Sequence, residues 1–287
     1  MTLIIAALMD GKIGHERQVS GFIKALKKYI NVSVYELQVS EVSLLGKVNF
    51  DDDQIRQFDY VIGAGHSTHL KMVFLAWRYK AKTVVLMNPS LPRFLFDYCI
   101  VPGHDGVSPK KNTFTTVGAL NDMEMSETKQ EAVLILLGGK SKEYYWDNEK
   151  VFSQIAEIVR AKNRSCVVVG SRRTPVFFWD YVRTRSDKNL SSTRFFPFSD
   201  LPHDWLKNNL GNYQWVWVTE DSVNMVYEAL TVGAEVCLIR MESIKLGRIH
   251  EGVKTLELEG LVNSGNRSNK AFNESDRAVR WFLENEK

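Results

Sequence analysis

Apolar and polar positions along this chain follow two alternating rhythms. Residues 3–8 form an unbroken apolar run, as expected of a strand covered on both faces. The segment 16–29 then places Val19, Phe22, Ile23, Leu26 and, just beyond it, Ile30 at spacings of 3, 1, 3 and 4, one face of a helix. The pattern predicts further strands over 32–37, 60–63, 83–87, 98–101 and 113–117, with a helix over 69–80. A polar stretch at 121–130 interrupts it, and the rhythm then restarts. Strands are predicted over 132–137, 166–170, around Phe195 and Phe196, and over 215–219 and 236–239; helices over 148–162, 175–184, 222–232 and 274–285. Strands alternating with helices imply parallel sheets wound by crossover helices. The expected fold is therefore α/β: two Rossmann-like domains whose parallel sheets face each other across a cleft. Residues 1–125 form the first domain, 126–270 the second, and 271–287 a closing helix. Such sheets bind ligands outside the carboxyl ends of their strands, which makes the cleft the expected site.

Composition narrows the function classes. Of 287 residues, 44% are hydrophobic and 25% charged, close to the globular average and unlike a disordered or fibrous chain. Lys and Arg number 37 against 34 Asp and Glu, a net charge of +3, too small for the basic face that nucleic acid requires. Cys99, Cys166 and Cys237 are scattered through apolar runs without a C-x-x-C pair, which argues for reduced buried thiols over a disulfide framework or a zinc site. The apolar start ends early at Asp10 and Gly11 with no basic lead, so a buried strand is expected there, not a targeting segment. No run reaches the ~18–20 apolar residues of a membrane span. A cytoplasmic protein is expected.

Three familiar motifs fail on inspection. Gly63-Ala64-Gly65-His66-Ser67-Thr68 opens like a dinucleotide fingerprint, but Thr68 replaces its third glycine and the strand is not the first. Gly139-Lys140-Ser141 ends like a P-loop whose first glycine would be Leu134. Asp51-Asp52-Asp53 precedes a polar segment and does not end a strand, so it reads as a solvated loop and not as a metal site.

Five segments retain chemical meaning. The loop after the first strand carries Asp10, Gly11, Gly14 and His15 at the start of a helix: glycines for a tight turn, amides for an anion, and two titratable groups. Residues 63–69 offer His66, Ser67 and His69 as donors, although Ser67 or Thr68 could equally cap the following helix. Gly138 and Gly139 occupy the matching loop of the second domain. Ser171, Arg172, Arg173 and Thr174 follow a strand directly, two arginines and two hydroxyls that suit a phosphate. In the last segment Asp221 or Ser222 is the expected N-cap, with Asn224 and Glu228 four apart on one helix face. That helix N-terminus suits a phosphate, and a carboxylate one turn deeper suits the two hydroxyls of a ribose, an arrangement that handles a nucleotide with no metal needed.

Together D-G-K-x-G-H-x-x-Q, G-A-G-H-S-T-H, S-R-R-T-P and E-D-S-V-N-M-V-Y-E-A-L resemble the mitochondrial-fission Elm-type family, over about residues 10–233. That family is in turn similar to GT-B glycosyltransferases such as the peptidoglycan N-acetylglucosaminyltransferase. The resemblance implies a second domain holding a nucleotide-sugar and a first domain holding the acceptor. It places Ser222 and Asn224 near the diphosphate, Glu228 on the ribose, residues 171–174 along the nucleotide, and Gly14 with His15 toward the reacting sugar. Plant members act as adaptors for a dynamin-like protein, and no obvious extension for that role is seen in this chain.

The expected activity is metal-independent glycosyl transfer from a nucleotide-sugar donor, itself a substrate and not a cofactor, to a glycan or lipid-linked acceptor, in keeping with cell-envelope glycan synthesis. Arg172 or Arg173, the Ser222 helix end and the glycine-loop amides would stabilise the leaving diphosphate. In an inverting enzyme His15 or Asp10 would take the acceptor proton. The alternatives are a non-catalytic adaptor on the same scaffold and a nucleotide-sugar epimerase. Lys24, Lys27 and Lys28 with the Arg93-Phe94-Leu95-Phe96 stretch could meet an anionic membrane surface peripherally, whereas the plainer reading is a solvated helix face and a core segment.

Overall fold

The computed structural model describes residues 2–43, 46–48, 57–108, 110–127, 129–185, 190–263 and 272–286. The acidic triplet Asp51-Asp52-Asp53 lies outside them. Two compact units divide the chain. One comprises Met1–Asp122 with Asn273–Lys287, the other Met123–Phe272.

The first unit is built on a six-stranded sheet, every pair parallel. In chain order its elements are β1 (Leu3–Met9), α1 (Ile13–Leu26), β2 (Val32–Gln38), β3 (Tyr60–Gly63), α2 (His66–Tyr79), β4 (Lys82–Val85), β5 (Tyr98–Pro102) and β6 (Thr113–Thr116). The sheet order is β2-β1-β3-β4-β5-β6. Ile5, Ala7, Tyr60, Ile62 and Val84 point to one face and pack on Val19, Phe22 and Leu26 of α1. Ala6, Leu8, Val61 and Val85 point to the other and pack on Met72 and Leu75 of α2. Burial on both faces explains why β1 is apolar throughout instead of alternating.

The second unit carries β7 (Gln130–Leu137), α3 (Asn148–Lys162), β8 (Cys166–Gly170), α4 (Val176–Thr184), β9 (Thr193–Phe196), α5 (Trp205–Asn209), β10 (Tyr213–Thr219), α6 (Val223–Thr231), β11 (Glu235–Ile239) and α7 (Arg248–Leu258). Its five strands are again all parallel, in the order β11-β10-β7-β8-β9. Val133, Ile135 and Leu137 of β7 pack with Ile155, Val159 and Phe178 from α3 and α4.

The last helix, α8 (Glu274–Asn285), belongs to the first unit and not to a separate closing element. Phe282 is the reason. It is almost fully buried and meets Phe22, Tyr60 and Tyr98 edge-on at 5.6, 5.1 and 5.0 Å. Burying such a ring contributes about 1.5–3 kcal/mol. The cysteines are free; Cys99 and Cys166 are buried and Cys237 half-buried. Burial pushes the Cys99 and Cys166 thiols up to about 11, which keeps them protonated and inert. Among the described residues no helix is long and apolar enough to cross a membrane.

Candidate functional site

In a parallel sheet all strands end at one edge, so the loops after β1 and β3 are neighbours. This brings together two of the sequence motifs. Asp10 directly follows β1, its side chain fully buried, and its Oδ2 lies 2.8 Å from His15 Nδ1 in the first turn of α1. Ser67 Oγ, in the first turn of α2, donates to the same oxygen at 3.3 Å, and the Lys12 N–H donates to Oδ1 at 3.1 Å. Burial acts to raise the Asp10 carboxyl. The His15 hydrogen bond, the Lys12 amide, the His15 charge and Ser67 together outweigh it, and the net shift is downward. Asp10 is thus a carboxylate that orients His15 through Nδ1.

Gly65 makes this cluster possible. Its φ is +99°, and a Cβ there would sit 2.3 Å from Asp10 Oδ2 and 2.5 Å from His15 Nδ1. Gly11, at φ +78°, makes the turn expected of it. Gly14 stands inside α1, where a Cβ meets nothing within 4 Å. α1 begins at Ile13, two to three residues earlier than expected, and α2 begins at His66. Neither helix has a side-chain cap; the Thr68 hydroxyl donates back to the Gly65 carbonyl at 2.7 Å.

His66 is exposed, whereas His69 is 1% exposed. The Ser90 N–H donates to His69 Nδ1 at 3.1 Å, so the neutral ring carries its proton on Nε2, which has no partner among the described residues. Burial, then the charges of His66 and His15, lower its pKa to about 4. His69 is therefore a neutral, enclosed imidazole and not the open donor that the sequence suggested. Beyond this edge, Phe94 and Leu95 are exposed, Phe96 is buried, and Arg93 donates to the Ser108 carbonyl. Lys24 reaches the Asp122 carbonyl at 3.4 Å.

The second unit places the remaining motifs at the equivalent edge of its own sheet. Gly138 N–H donates to Thr219 Oγ1 at 2.7 Å and Gly139 N–H to Asp221 Oδ2 at 3.0 Å. Both glycines are required by space: a Cβ on Gly138 would lie 2.3 Å from the Asp221 and Ser222 side chains, and one on Gly139 would lie 1.9 Å from the Arg173 carbonyl oxygen. Against these glycines folds the turn 171–174. Ser171 Oγ donates to the Gly138 carbonyl at 2.8 Å, and Thr174 Oγ1 donates to the Leu137 carbonyl at 3.0 Å. Both hydroxyls are thus spent on the turn, a correction to the expectation that they meet a phosphate.

The arginines behave differently from each other. Arg172 is exposed, with its guanidinium 6.0 Å from the Phe198 ring. Arg173 places Nη1 2.8 Å from Asp221 Oδ2 and donates through Nη2 to Ser222 Oγ. The Asp221 side chain is 0% exposed and that of Arg173 43%. Burial raises the Asp221 carboxyl on balance, against the lowering effects of Arg173, Thr219 and the Gly139 N–H. Neither Asp221 nor Ser222 caps α6 through its side chain, contrary to the local rule, because Gly139 and Arg173 claim the carboxylate and Arg173 claims the hydroxyl. The α6 N-terminus is left without a side-chain cap, beside a half-exposed guanidinium. Asn224 is exposed on its first turn, and Glu228, only 8% exposed, is not the solvated carboxylate of a surface helix. The pattern missed Thr219, which ties β10 to Gly138, and Glu143, whose carboxylate accepts the Ile249 and His250 amides at 3.1 and 3.3 Å. Among the described residues no group of three or more His, Cys, Asp or Glu is arranged to hold a metal ion.

Residues 13–285 match the model of a family described as Mitochondrial fission ELM1. No curated protein matches the sequence. Among solved structures, the chain is similar to the UDP-GlcNAc 2-epimerase from Methanocaldococcus jannaschii, with 15% identity, 99% of this chain and 100% of that one covered, and a TM-score of 0.55. It is similar to MnaA of S. aureus, solved with UDP, at 12% identity, coverage of 98% and 95%, and a TM-score of 0.53. A UDP-glucosyltransferase from Polygonum tinctorium gives 9% identity, coverage of 99% and 98%, and a TM-score of 0.50. These likenesses establish the fold, the two-domain Rossmann-like GT-B architecture shared by glycosyltransferases and nucleotide-sugar epimerases.

Proposed function

We propose that this chain, which belongs to the Mitochondrial fission ELM1 family, is a glycosyltransferase that binds the diphosphate of a nucleotide-sugar in its second unit. One observation carries the reading: Arg173, held by a buried carboxylate, stands beside the uncapped N-terminus of α6. A helix N-terminus supplies amide donors and positive potential to an anion. A guanidinium adds a charge and a bidentate fork. Because Asp221 fixes Arg173 beforehand, little of its side-chain freedom remains to be lost on binding. The same groups would take up charge as the diphosphate leaves, so the proposal needs no metal. Arg172 with Phe198 offers a cation and a ring to the nucleoside, and Asn224 an amide to the diphosphate. Glu228 is proposed for the ribose.

In the first unit, His15 is the proposed general base. Asp10 holds it in one tautomer and stabilises the imidazolium formed when it takes a proton from an acceptor hydroxyl. The acceptor is a glycan or a lipid-linked sugar; in the second case Phe94 and Leu95 would touch the bilayer surface.

The test is calorimetric titration of UDP and UDP-sugars, followed by an assay for UDP release with and without candidate acceptors. Binding of UDP that is lost in Arg173→Ala, with His15→Ala abolishing turnover but not binding, supports the reading. The UDP-GlcNAc 2-epimerases among the similar structures favour a second reading on the same donor site. Interconversion of a UDP-sugar without acceptor or UDP release would select it. Absence of any nucleotide binding would leave an adaptor.

A further inference from the structure

In the first unit, α2 is apolar on two sides. Its inner side, with Met72, Leu75 and Ala76, is buried against the sheet. Leu70, Phe74 and Trp77 recur at i, i+4 and i+7 and so share a second stripe, turned away from that core. Leu70 is exposed, Phe74 half-buried and Trp77 78% exposed. A helix packed on one sheet ordinarily carries polar residues on its outer side. α3 does so, exposing Glu149, Lys150, Ser153, Glu157 and Arg160.

The turn Arg93–Leu95 adds to this surface. Phe96, which follows it, packs into the same core as Met72 and Leu75, with its ring 5.9 Å from that of His69. The turn therefore lies on the α2 side of the sheet. Phe94 is 80% exposed, and Leu95 is exposed beside it. Trp77 and Phe94 make no ring contact among the described residues. So much unpartnered apolar surface marks an interaction site.

Charge selects what covers it. α2 holds Lys71 and Arg78, ends on Lys80 and contains no acidic residue. Lys71 is spent on the Val39 carbonyl at 2.5 Å, and Lys82 on Glu286 at 3.0 Å. Arg78 and Lys80 are exposed and make no side-chain hydrogen bond or ion pair among the described residues. The unpaired cations are thus the two that follow Trp77 in the chain. Leu, Phe and Trp on one face, with Lys and Arg at its margin, suit an anionic bilayer. The apolar groups enter the boundary between headgroups and acyl chains, and the cations stay at the lipid phosphates. A second copy of the chain fits poorly: a two-fold interface brings the same unpaired cations from both sides, with no acid on α2 to meet them.

We infer that α2 and the turn Arg93–Leu95 dock the first unit on an anionic lipid bilayer, with Trp77 and Phe94 in its surface and Arg78 and Lys80 on its phosphates. None of these residues belongs to the Arg173–α6 site, so the inference stands without the nucleotide reading. It extends to α2 the contact that a lipid-linked acceptor would give Phe94 and Leu95.

The experiment sediments the full chain with vesicles of phosphatidylcholine, alone or with roughly one-third phosphatidylglycerol, in low and in high salt. The chain should bind the anionic vesicles, bind the neutral ones more weakly, and be released by salt. Arg78→Gln combined with Lys80→Gln should weaken binding to the anionic vesicles about 25-fold, about fivefold for each cation. Trp77→Gln and Phe94→Gln should each weaken it about tenfold. All four positions are exposed, so the melting temperature should hold and certify the fold of each variant. No sedimentation with anionic vesicles would overturn the inference, as would equal affinity for both kinds of vesicle, or binding indifferent to both aromatic substitutions. Self-association of the chain that Trp77→Gln abolishes, in place of vesicle binding, would assign the face to a second copy and overturn it too.

Discussion

Arg173→Ala is the most informative substitution because Arg173 has two separable duties. The first is structural. Its Nη1 is 2.8 Å from Asp221 Oδ2, and the Asp221 side chain has no exposed surface. Removing one partner of a fully buried pair costs about 3–5 kcal/mol. Arg173 is 43% exposed, so water enters where its head stood, and we discount the cost to about 2 kcal/mol. For a unit of this size that lowers the melting temperature by about 4–8 °C. The second duty is binding. A charge-assisted hydrogen bond to a diphosphate contributes about 1.5–3 kcal/mol, so UDP affinity should fall roughly 10- to 150-fold. The double variant Arg173→Ala with Asp221→Asn separates the two. An amide needs no counter-ion and still accepts from the Gly139 N–H, so most of the lost stability should return while UDP affinity stays low. Asp221→Asn alone should not destabilise at pH 7. A carboxyl whose folded pKa is raised contributes stability below its unfolded pKa and loses it as pH rises through the folded value. Differential scanning fluorimetry and calorimetry on the four proteins complete the cycle. A wild-type UDP affinity in Arg173→Ala would refute the anion site, and a double variant as unstable as the single would refute the buried-charge argument.

Gly139→Ala should destabilise by at least about 1–3 kcal/mol in urea unfolding, because its Cβ would meet the Arg173 carbonyl at 1.9 Å and backbone cannot swing aside. Gly65→Ala should separate Asp10 from His15, combining a φ of +99° with a 2.3 Å contact on the carboxylate. Turnover is expected to drop with UDP affinity kept, and an unchanged rate would argue against the dyad. Asp10→Ala should lower turnover about 10²–10⁴-fold, the usual weight of general acid–base catalysis. Asp10 also has a signature in acid. Its lowered pKa means that its stabilising contribution is complete above the unfolded value of about 3.9 and fades as pH falls through the folded one. The difference in melting temperature between wild type and Asp10→Asn should therefore be full and constant above about pH 5 and narrow as pH falls below about 3.9.

Much of the fold is legible because the signal is local. α3 and α8 begin and end where their apolar periodicity does, and β3 and β8 span the runs that predict them. The pattern misses α7 for a reason that is physical. Its N-cap is Gly247, which brings no side chain, and its first amides are satisfied by Glu143 from more than a hundred residues away. Gly247 is small because a Cβ would stand 2.4 Å from the Glu143 carboxyl carbon. No window of local sequence contains both halves of that cap. The five-residue α5 is too short to show a period at all. Likewise the fate of the last helix is a matter of which core receives Phe282, and amphipathicity states only that some core must.

The site divides along the same line. Which residue types gather at the sheet edges follows from order in the chain, since every parallel strand delivers its next loop to the same edge. How they pair does not. Asp221-Ser222 ahead of an apolar helix satisfies the local rule for a cap, and with no other partner it would be one. Here the double glycine after β7 lets the Asp221 carboxylate reach the Gly139 N–H, and Arg173 takes both side chains. A cap and a diphosphate compete for the same first-turn amides of α6. Diverting the side chains to Gly139 and Arg173 leaves those amides without a side-chain cap and sets the guanidinium on Asp221 and Ser222 beside them, the arrangement on which the proposed diphosphate site rests. A signal for this was present in the sequence: a double glycine at one strand end, opposite an acid at another, is what close approach of a carboxylate to a backbone amide requires.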